Sequence, residues 1–253
     1  MPLLKRTSIL ASFLISAVAA SLFTGGVLSG SAAAPDAEGP SLDVHPGLRF
    51  VVGAQLSSSG PQASIRARVT WTASDSSGIC RQRVRIRDLD TDIVQRWIVP
   101  VADQRAGFDF VVDRAYRVNV KVIDCAGNSS QQTRSYQAQL LQESAAFLDP
   151  PEAWTQVLRD SASAGTLVRG DAGAQAVLFG AARSVALIAE TSPGRGTAEV
   201  SSRNDHALVD LDQPYRARVV VYQDRWRVPT ASDNVLMEVL PIGTTVLDAY
   251  LIG

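Results

Sequence analysis

Residues 65–72 alternate apolar and polar without a break: Ile65, Ala67, Val69 and Trp71 fall on one face, and Arg66, Arg68, Thr70 and Thr72 on the other. The same beat returns twice. Cys80, Gln82, Val84 and Ile86 alternate with Arg81, Arg83, Arg85 and Arg87, and Tyr116, Val118, Val120 and Val122 alternate with Arg117, Asn119, Lys121 and Ile123. A period of two describes an extended strand with one dry and one wet face, which is the signature of antiparallel sheets half exposed to water. Strands are expected near 48–55, 64–73, 80–88, 93–99, 107–112, 115–124 and 131–138, with turn residues between them. Short strands separated by turns at close intervals form a two-sheet sandwich, so residues 46–140 are expected to be one.

The chain opens with Lys5 and Arg6, then an apolar run from Ile9 to about Leu28, closed by small residues from Ser29 to Ala34. That order is the grammar of a secretory signal, with cleavage expected after Ala33. An uncleaved anchor stays open as the rival reading, because the run approaches the length of a membrane span. The expected organisation is a signal peptide at 1–33, a flexible lead-in at 34–45, the sandwich at 46–140, a linker at 141–153 and a second β-module at 154–253. The chain ends at Leu251-Ile252-Gly253 without a second apolar span, so the cleaved protein is expected outside the cell with no membrane attachment.

Cys80 and Cys125 are the only cysteines. In an exported chain such a pair is expected to form a disulfide. It would close a loop of about 46 residues, worth about 4 kcal/mol in the chain-entropy model. The spacing is not Cys-x-x-Cys, which argues for a structural bond over a redox-active one. Asp75 and Asp124 flank the cysteines and could approach a cation together, but aspartates at turns more often accept hydrogen bonds from nearby backbone.

After Trp154 short strands are expected near 165–169, 174–180, 183–191, 196–202, 206–212, 216–224, 233–240 and 245–252. Eight antiparallel strands suit a two-sheet jelly roll. Between the halves, Gln139 to Phe147 is expected to make a short helical turn that Pro150-Pro151 stops.

Two resemblances sharpen these expectations. Trp71-Thr72-Ala73-Ser74-Asp75 before Ser77-Gly78-Ile79, and Tyr116-Arg117-Val118 before Asp124-Cys125-Ala126-Gly127-Asn128, resemble the immunoglobulin-like or fibronectin-type modules of bacterial secreted proteins. Gln82 departs from them, since an aromatic residue usually occupies that place on the third strand. From Gly165-Thr166-Leu167-Val168-Arg169 through Phe179-Gly180-Ala181-Ala182-Arg183, Gly194-Arg195-Gly196-Thr197-Ala198 and Arg216-Ala217-Arg218-Val219-Val220 to Leu247-Asp248-Ala249-Tyr250, the second half resembles a β-jelly-roll module related to carbohydrate-binding modules. It departs at Ser201-Ser202-Arg203-Asn204-Asp205, where an Asp-Gly turn is usual, and at Ala231-Ser232-Asp233-Asn234, where Gly-x-His is usual. The fold class implied is all-β: an Ig-like or fibronectin-III-like sandwich, then a β-jelly-roll sandwich.

Charge divides between the halves. Residues 46–140 carry 13 Arg plus Lys against 8 Asp plus Glu, whereas residues 141–253 carry 9 against 14. The resemblance to an immunoglobulin-type sandwich implies that the third and sixth strands are neighbours in one sheet, so that Arg81, Arg83, Arg85 and Arg87 share an exposed face with Arg117 and Lys121, a face suited to an anionic partner such as an acidic polysaccharide or cell-surface polymer. A merely solvated face, or docking on the acidic second half, is the alternative. In the second half Tyr215, Arg195 and Arg225 are the candidates for sugar stacking and hydrogen bonding, while Tyr222 and Trp226 read as core. Asp248 reads as a buried hydrogen-bonding residue.

His45 and His206 are the only histidines, and neither stands in a zinc-binding pattern. There is no Gly-x-Ser-x-Gly elbow, and Gly194-Arg195-Gly196 lacks the strand–helix setting of a phosphate loop. No cofactor is expected, a structural calcium staying open without a motif to support it, and the net formal charge of −1 suggests no nucleic-acid partner. The chain is therefore expected not to be an enzyme but a secreted protein that attaches to a polysaccharide or surface polymer. A spacer or protein-docking module and an unrecognised extracellular hydrolase are the alternatives, and the oligomeric state is left open.

Overall fold

The computed structural model describes residues 36–253, apart from 58–62, 161, 164 and 233. The expected signal peptide and the start of the lead-in lie outside the described residues.

The first half holds eight strands: β1 (Ser41–Val44), β2 (Arg49–Phe50), β3 (Ser64–Ser74), β4 (Ile79–Asp88), β5 (Val94–Val99), β6 (Arg105–Val111), β7 (Ala115–Asp124) and β8 (Ser129–Gln137). β3 pairs with β1, β2 and β6 in one sheet, and the other runs β5-β4-β7-β8. All these pairings are antiparallel. The alternating residues point as their period requires, with Ile65, Val69, Val84, Ile86, Val118, Val120 and Val122 buried between the sheets. Phe108 lies tilted against Phe110, and Phe110 meets Tyr116 edge to face, with ring centroids 4.5 Å apart in each pair. The Tyr116 hydroxyl accepts the Val111 N–H at 2.9 Å, tying the start of β7 to the end of β6.

Gln82 has a physical reason to replace an aromatic residue. Trp71 donates its indole N–H to Gln82 Oε1 at 2.5 Å, and Gln82 Nε2 donates to the carbonyls of Pro100 and Val101 at 3.1 and 2.9 Å. An aromatic ring there would leave the buried indole N–H unpaired, at a cost of about 1–3 kcal/mol.

The second half adds β9 (Gln139–Gln142), β10 (Phe147–Asp149), β11 (Trp154–Leu158), β12 (Thr166–Gly170), β13 (Gln175–Phe179), β14 (Ser184–Thr191), β15 (Thr197–Ser202), β16 (His206–Asp210), β17 (Ala217–Arg225), β18 (Val235–Pro241) and β19 (Thr245–Ile252). One sheet runs β10-β13-β18-β15-β16; the other runs β11-β12-β19-β14-β17, with β9 also on β19. Leu178, Leu187, Val200, Leu236, Met237 and Tyr250 fill the space between them. Both halves are thus antiparallel β-sandwiches, as expected, and β12–β19 lie within two residues of the expected bounds.

Three expectations shift. The strand expected near 48–55 shortens to Arg49–Phe50. Residues 41–44, read as part of a flexible lead-in, form β1 against β3. The segment read as a linker is built into both sheets of the second half, β9 on β19 and β10 on β13, with 3-10 turns at Glu143–Ala145 and Pro151–Ala153. Successive residues explain it: Leu140 packs on the first core and Leu141 on the second.

Asp36–Gly253 form one compact unit. β14 is buried at every residue and β19 at all but its last. Val185, Leu187 and Ala189 face the inner core, while Ala186 and Ile188 join Ala249, Leu251 and Val220 in the apolar cluster that contains Leu48 and Phe50. Gly53 N–H donates to Val220 O at 2.8 Å, and Val220 N–H donates to Ala54 O at 2.9 Å. At Gly47 a Cβ would stand 2.7 Å from the Arg183 carbonyl oxygen, so only glycine permits this approach. The six-stranded sheet is therefore a middle layer.

Candidate functional site

The outer face of the β5-β4-β7-β8 sheet follows from the register. Because Val84, Ile86, Val118 and Val120 point inward, Arg83, Arg85, Arg87, Arg117, Asn119 and Lys121 point out. Arg83 stands opposite Lys121, Arg87 opposite Arg117, and Arg85 between Asn119 and Arg96. Like charges directly opposite repel, a cost that an incoming anion relieves.

Two adjoining depressions cross this face. One, of about 340 Å³, is bounded by Arg81, Arg83, Arg85, Arg96, Lys121 and the exposed Ile98. The other, of about 270 Å³, is bounded by Arg85, Arg87, Arg117, Asn119, Gln131 and Thr133. Arg87 is ion-paired with Asp92. That hydrogen bond and the guanidinium charge hold the Asp92 carboxyl below the usual range. Among the described residues, Arg81, Arg83, Arg96, Arg117 and Lys121 have no carboxylate partner. Among the described residues the face meets no part of the acidic second half, which the first half contacts through residues around Gly47, Phe50 and Ala54.

The Cys80–Cys125 disulfide is formed, with Cα atoms 4.9 Å apart, and joins β4 to the turn after β7 at one end of this face. Beside it the carboxylates of Asp36, Asp75 and Asp124 lie within 4.8 Å of one another, the only such group among the described residues. Their oxygens already serve turns. Asp75 accepts the Ser77 N–H at 2.8 Å, Asp124 accepts the Asn128 N–H at 2.7 Å, and Asp36 accepts the Ser76 hydroxyl at 3.0 Å.

The second-half candidates separate. Tyr215 is 67% exposed and borders a depression at the junction of the halves. Arg195 and Arg225 do not line it. Arg195 donates to Glu190 at 2.6 Å, and Arg159 and Arg216 stand 3.8 and 3.6 Å from the same buried carboxylate. Arg225 donates to Thr70 Oγ1 at 2.6 Å across the junction, and burial lowers its pKa. Tyr222 and Trp226 are buried. The Tyr222 hydroxyl, 2.8 Å from Ser202 Oγ, has its pKa pushed up to about 12 by burial. Asp248 is fully buried, accepting from Ser163 N–H and Oγ at 2.9 and 2.8 Å and from Arg218 at 3.0 Å. Arg96 and Ile98 complete the basic face and were missed in sequence. The alternation Arg96, Ile98 along β5 was the signal, but a short edge strand shows too little of it.

Among the described residues no helix is long and apolar enough to cross a membrane. No protein-family model matches the chain, and no curated protein matches it. Among solved structures, the chain is similar to an exo-β-1,3-galactanase from Phanerochaete chrysosporium with galactose, at 10% identity and a TM-score of 0.35, over 86% of this chain and 69% of that one. That structure is an enzyme, so the expectation that this chain is not one is withdrawn. A likeness this distant assigns the chain no activity of its own.

Proposed function

We propose that this protein is exported and attaches to an anionic polymer, an acidic polysaccharide or cell-surface polymer, through the outer face of β5-β4-β7-β8. One observation carries the reading: Arg81, Arg83, Arg85, Arg87, Arg96, Arg117 and Lys121 share one exposed face on which Asp92 is, among the described residues, the only ion-paired carboxylate. Along β4 the arginines recur every second residue, about 6.8 Å apart, and the next row lies about 4.8 Å away. A ladder about 20 Å long suits a chain with repeated charges better than a single small anion. Guanidinium groups pair with planar carboxylates in bidentate fashion, which favours arginine for such a polymer. The apolar run at 9–28 and the disulfide support an oxidising destination. The first sandwich, with β3 and its partners facing β5-β4-β7-β8, is read as fibronectin-type, and the second as a jelly roll.

The test is retention on immobilised polygalacturonate and on uncharged dextran. Binding to the acidic matrix alone is expected at about 50 mM salt, with release near 500 mM as the Debye length shrinks. Arg83→Glu/Arg85→Glu should abolish retention while leaving the thermal midpoint unchanged. Elution of the parent protein in the void volume at low salt would end the proposal.

A further inference from the structure

The loop between β16 and β17 carries Gln213, Pro214 and Tyr215 to the place where the first half lays its 51–55 segment on β17. The resulting cleft, about 230 Å³, belongs to neither half alone. Val52 forms one wall, Val209 and Val219 lie among its apolar lining, and Tyr215, Gln213 and Asp210 supply its polar groups. Val52 is held in place because the next residue, Gly53, donates its N–H to Val220 O at 2.8 Å. Asp210 is oriented by the Asp212 N–H, which donates to its Oδ1 at 2.9 Å. Its Oδ2, the Tyr215 hydroxyl and the Gln213 amide have no partner among the described residues.

An apolar surface with a few unspent polar groups is the composition of a small-molecule site. The volume falls below the roughly 300 Å³ at which pockets begin to enclose drug-sized molecules, which restricts the occupant to about one ring. Among the described residues Asp210 is the sole charged one in the lining, so the cleft repels anions, opposite to the basic face. An aromatic face beside a carboxylate and an amide matches one ligand chemistry closely. The C–H face of a sugar ring packs on the aromatic ring, and adjacent hydroxyls donate to the carboxylate and exchange hydrogen bonds with the amide.

The geometry points to a second binding site in this cleft, taking one uncharged sugar ring stacked on Tyr215 with its hydroxyls held by Asp210 and Gln213. It is separate from the basic face and stands whether or not that face binds a polyanion.

The experiment is isothermal titration of the purified protein with neutral gluco-, galacto-, manno- and xylo-oligosaccharides, together with tetramethylammonium as a cationic probe. At least one oligosaccharide should bind with a Kd of about 1 mM or tighter. Tyr215→Ala and Asp210→Asn should each weaken it about tenfold, with circular dichroism and thermal midpoint unchanged. Arg83→Glu/Arg85→Glu should leave this affinity unaltered, and Tyr215→Ala should leave retention on polygalacturonate unaltered. Three results would overturn the site: no saccharide binding up to about 10 mM, undiminished affinity in Tyr215→Ala, or binding of the ammonium probe alone.

Discussion

In the first half Arg83 stands opposite Lys121 on an exposed sheet face with no carboxylate between them, whereas in the second half Arg218 lies 3.0 Å from Asp248 and Arg195 lies 2.6 Å from Glu190, both carboxylates buried. The same residue type therefore does two jobs. Where the strand has a wet face, arginines such as Arg83 and Arg117 remain available to a partner. Where the sheet is a middle layer, a charge survives only when paired and hydrogen-bonded, because desolvation is costly. The halves also differ in how they are held: one carries the disulfide, while the other relies on strands buried on both faces.

The largest effect is expected where this contrast is sharpest. Asp248→Ala leaves Arg218, itself only 10% exposed at its side chain, without its partner. Removing one member of a buried pair costs about 3–5 kcal/mol, to be read from urea unfolding. A matching truncation on the wet face, Arg83→Ala, should stay within about 0.5 kcal/mol. If the two substitutions cost the same, the distinction between structural and available arginines fails.

Next comes the staple. Cys80→Ala/Cys125→Ala should cost about 2–4 kcal/mol. Because Ile188 and Leu251 of the second half share a core cluster with Leu48 and Phe50 of the first, the loss should appear as a shift of one cooperative transition. Two separated transitions in calorimetry would show that the halves unfold independently.

The smallest effect is a pH slope at the junction. Burial, then the Arg225 charge, lower the pKa of His45 below its ordinary value of 6.5, against the opposing pull of Gly47. The unfolded chain takes up a proton near pH 6.5 that the folded chain refuses. The stability contributed by neutral His45 is thus complete above that pH and lost as pH falls below it. Urea midpoints should drop between about pH 7.5 and pH 5, and His45→Gln should flatten that part of the slope. An unchanged slope in the variant would assign it elsewhere.

The first sandwich was legible because one side of each strand meets water. Arg81 to Arg87 could be placed on a single outer face from alternation alone, and Cys80 paired with Cys125 because they are the only two cysteines of a chain with an export signal. The joining of the halves was harder to see. Ser184 to Thr191 and Thr245 to Ile252 contain runs such as Val185-Ala186-Leu187-Ile188-Ala189, which break alternation because both faces are buried. That was the available sign of a middle layer. The strand bounds survive without it, but the second apolar face does not reveal what covers it. Arg195 and Arg225 were misplaced for a related reason: a sequence shows that an arginine exists, not whether Glu190 or Thr70 already occupies it.

Period-two patterning and turn residues by themselves determined the all-β class and which side of β3, β4 and β7 meets water, because these depend on alternation within a single strand. Tertiary structure alone decided that β9 and β10 close the gap between the halves, that Glu190 and Asp248 are buried with arginine partners, and that Val52 and Tyr215 form one cleft. Each of these brings together residues distant in the chain, and their pairing is set by how two sandwiches pack, which no local period encodes.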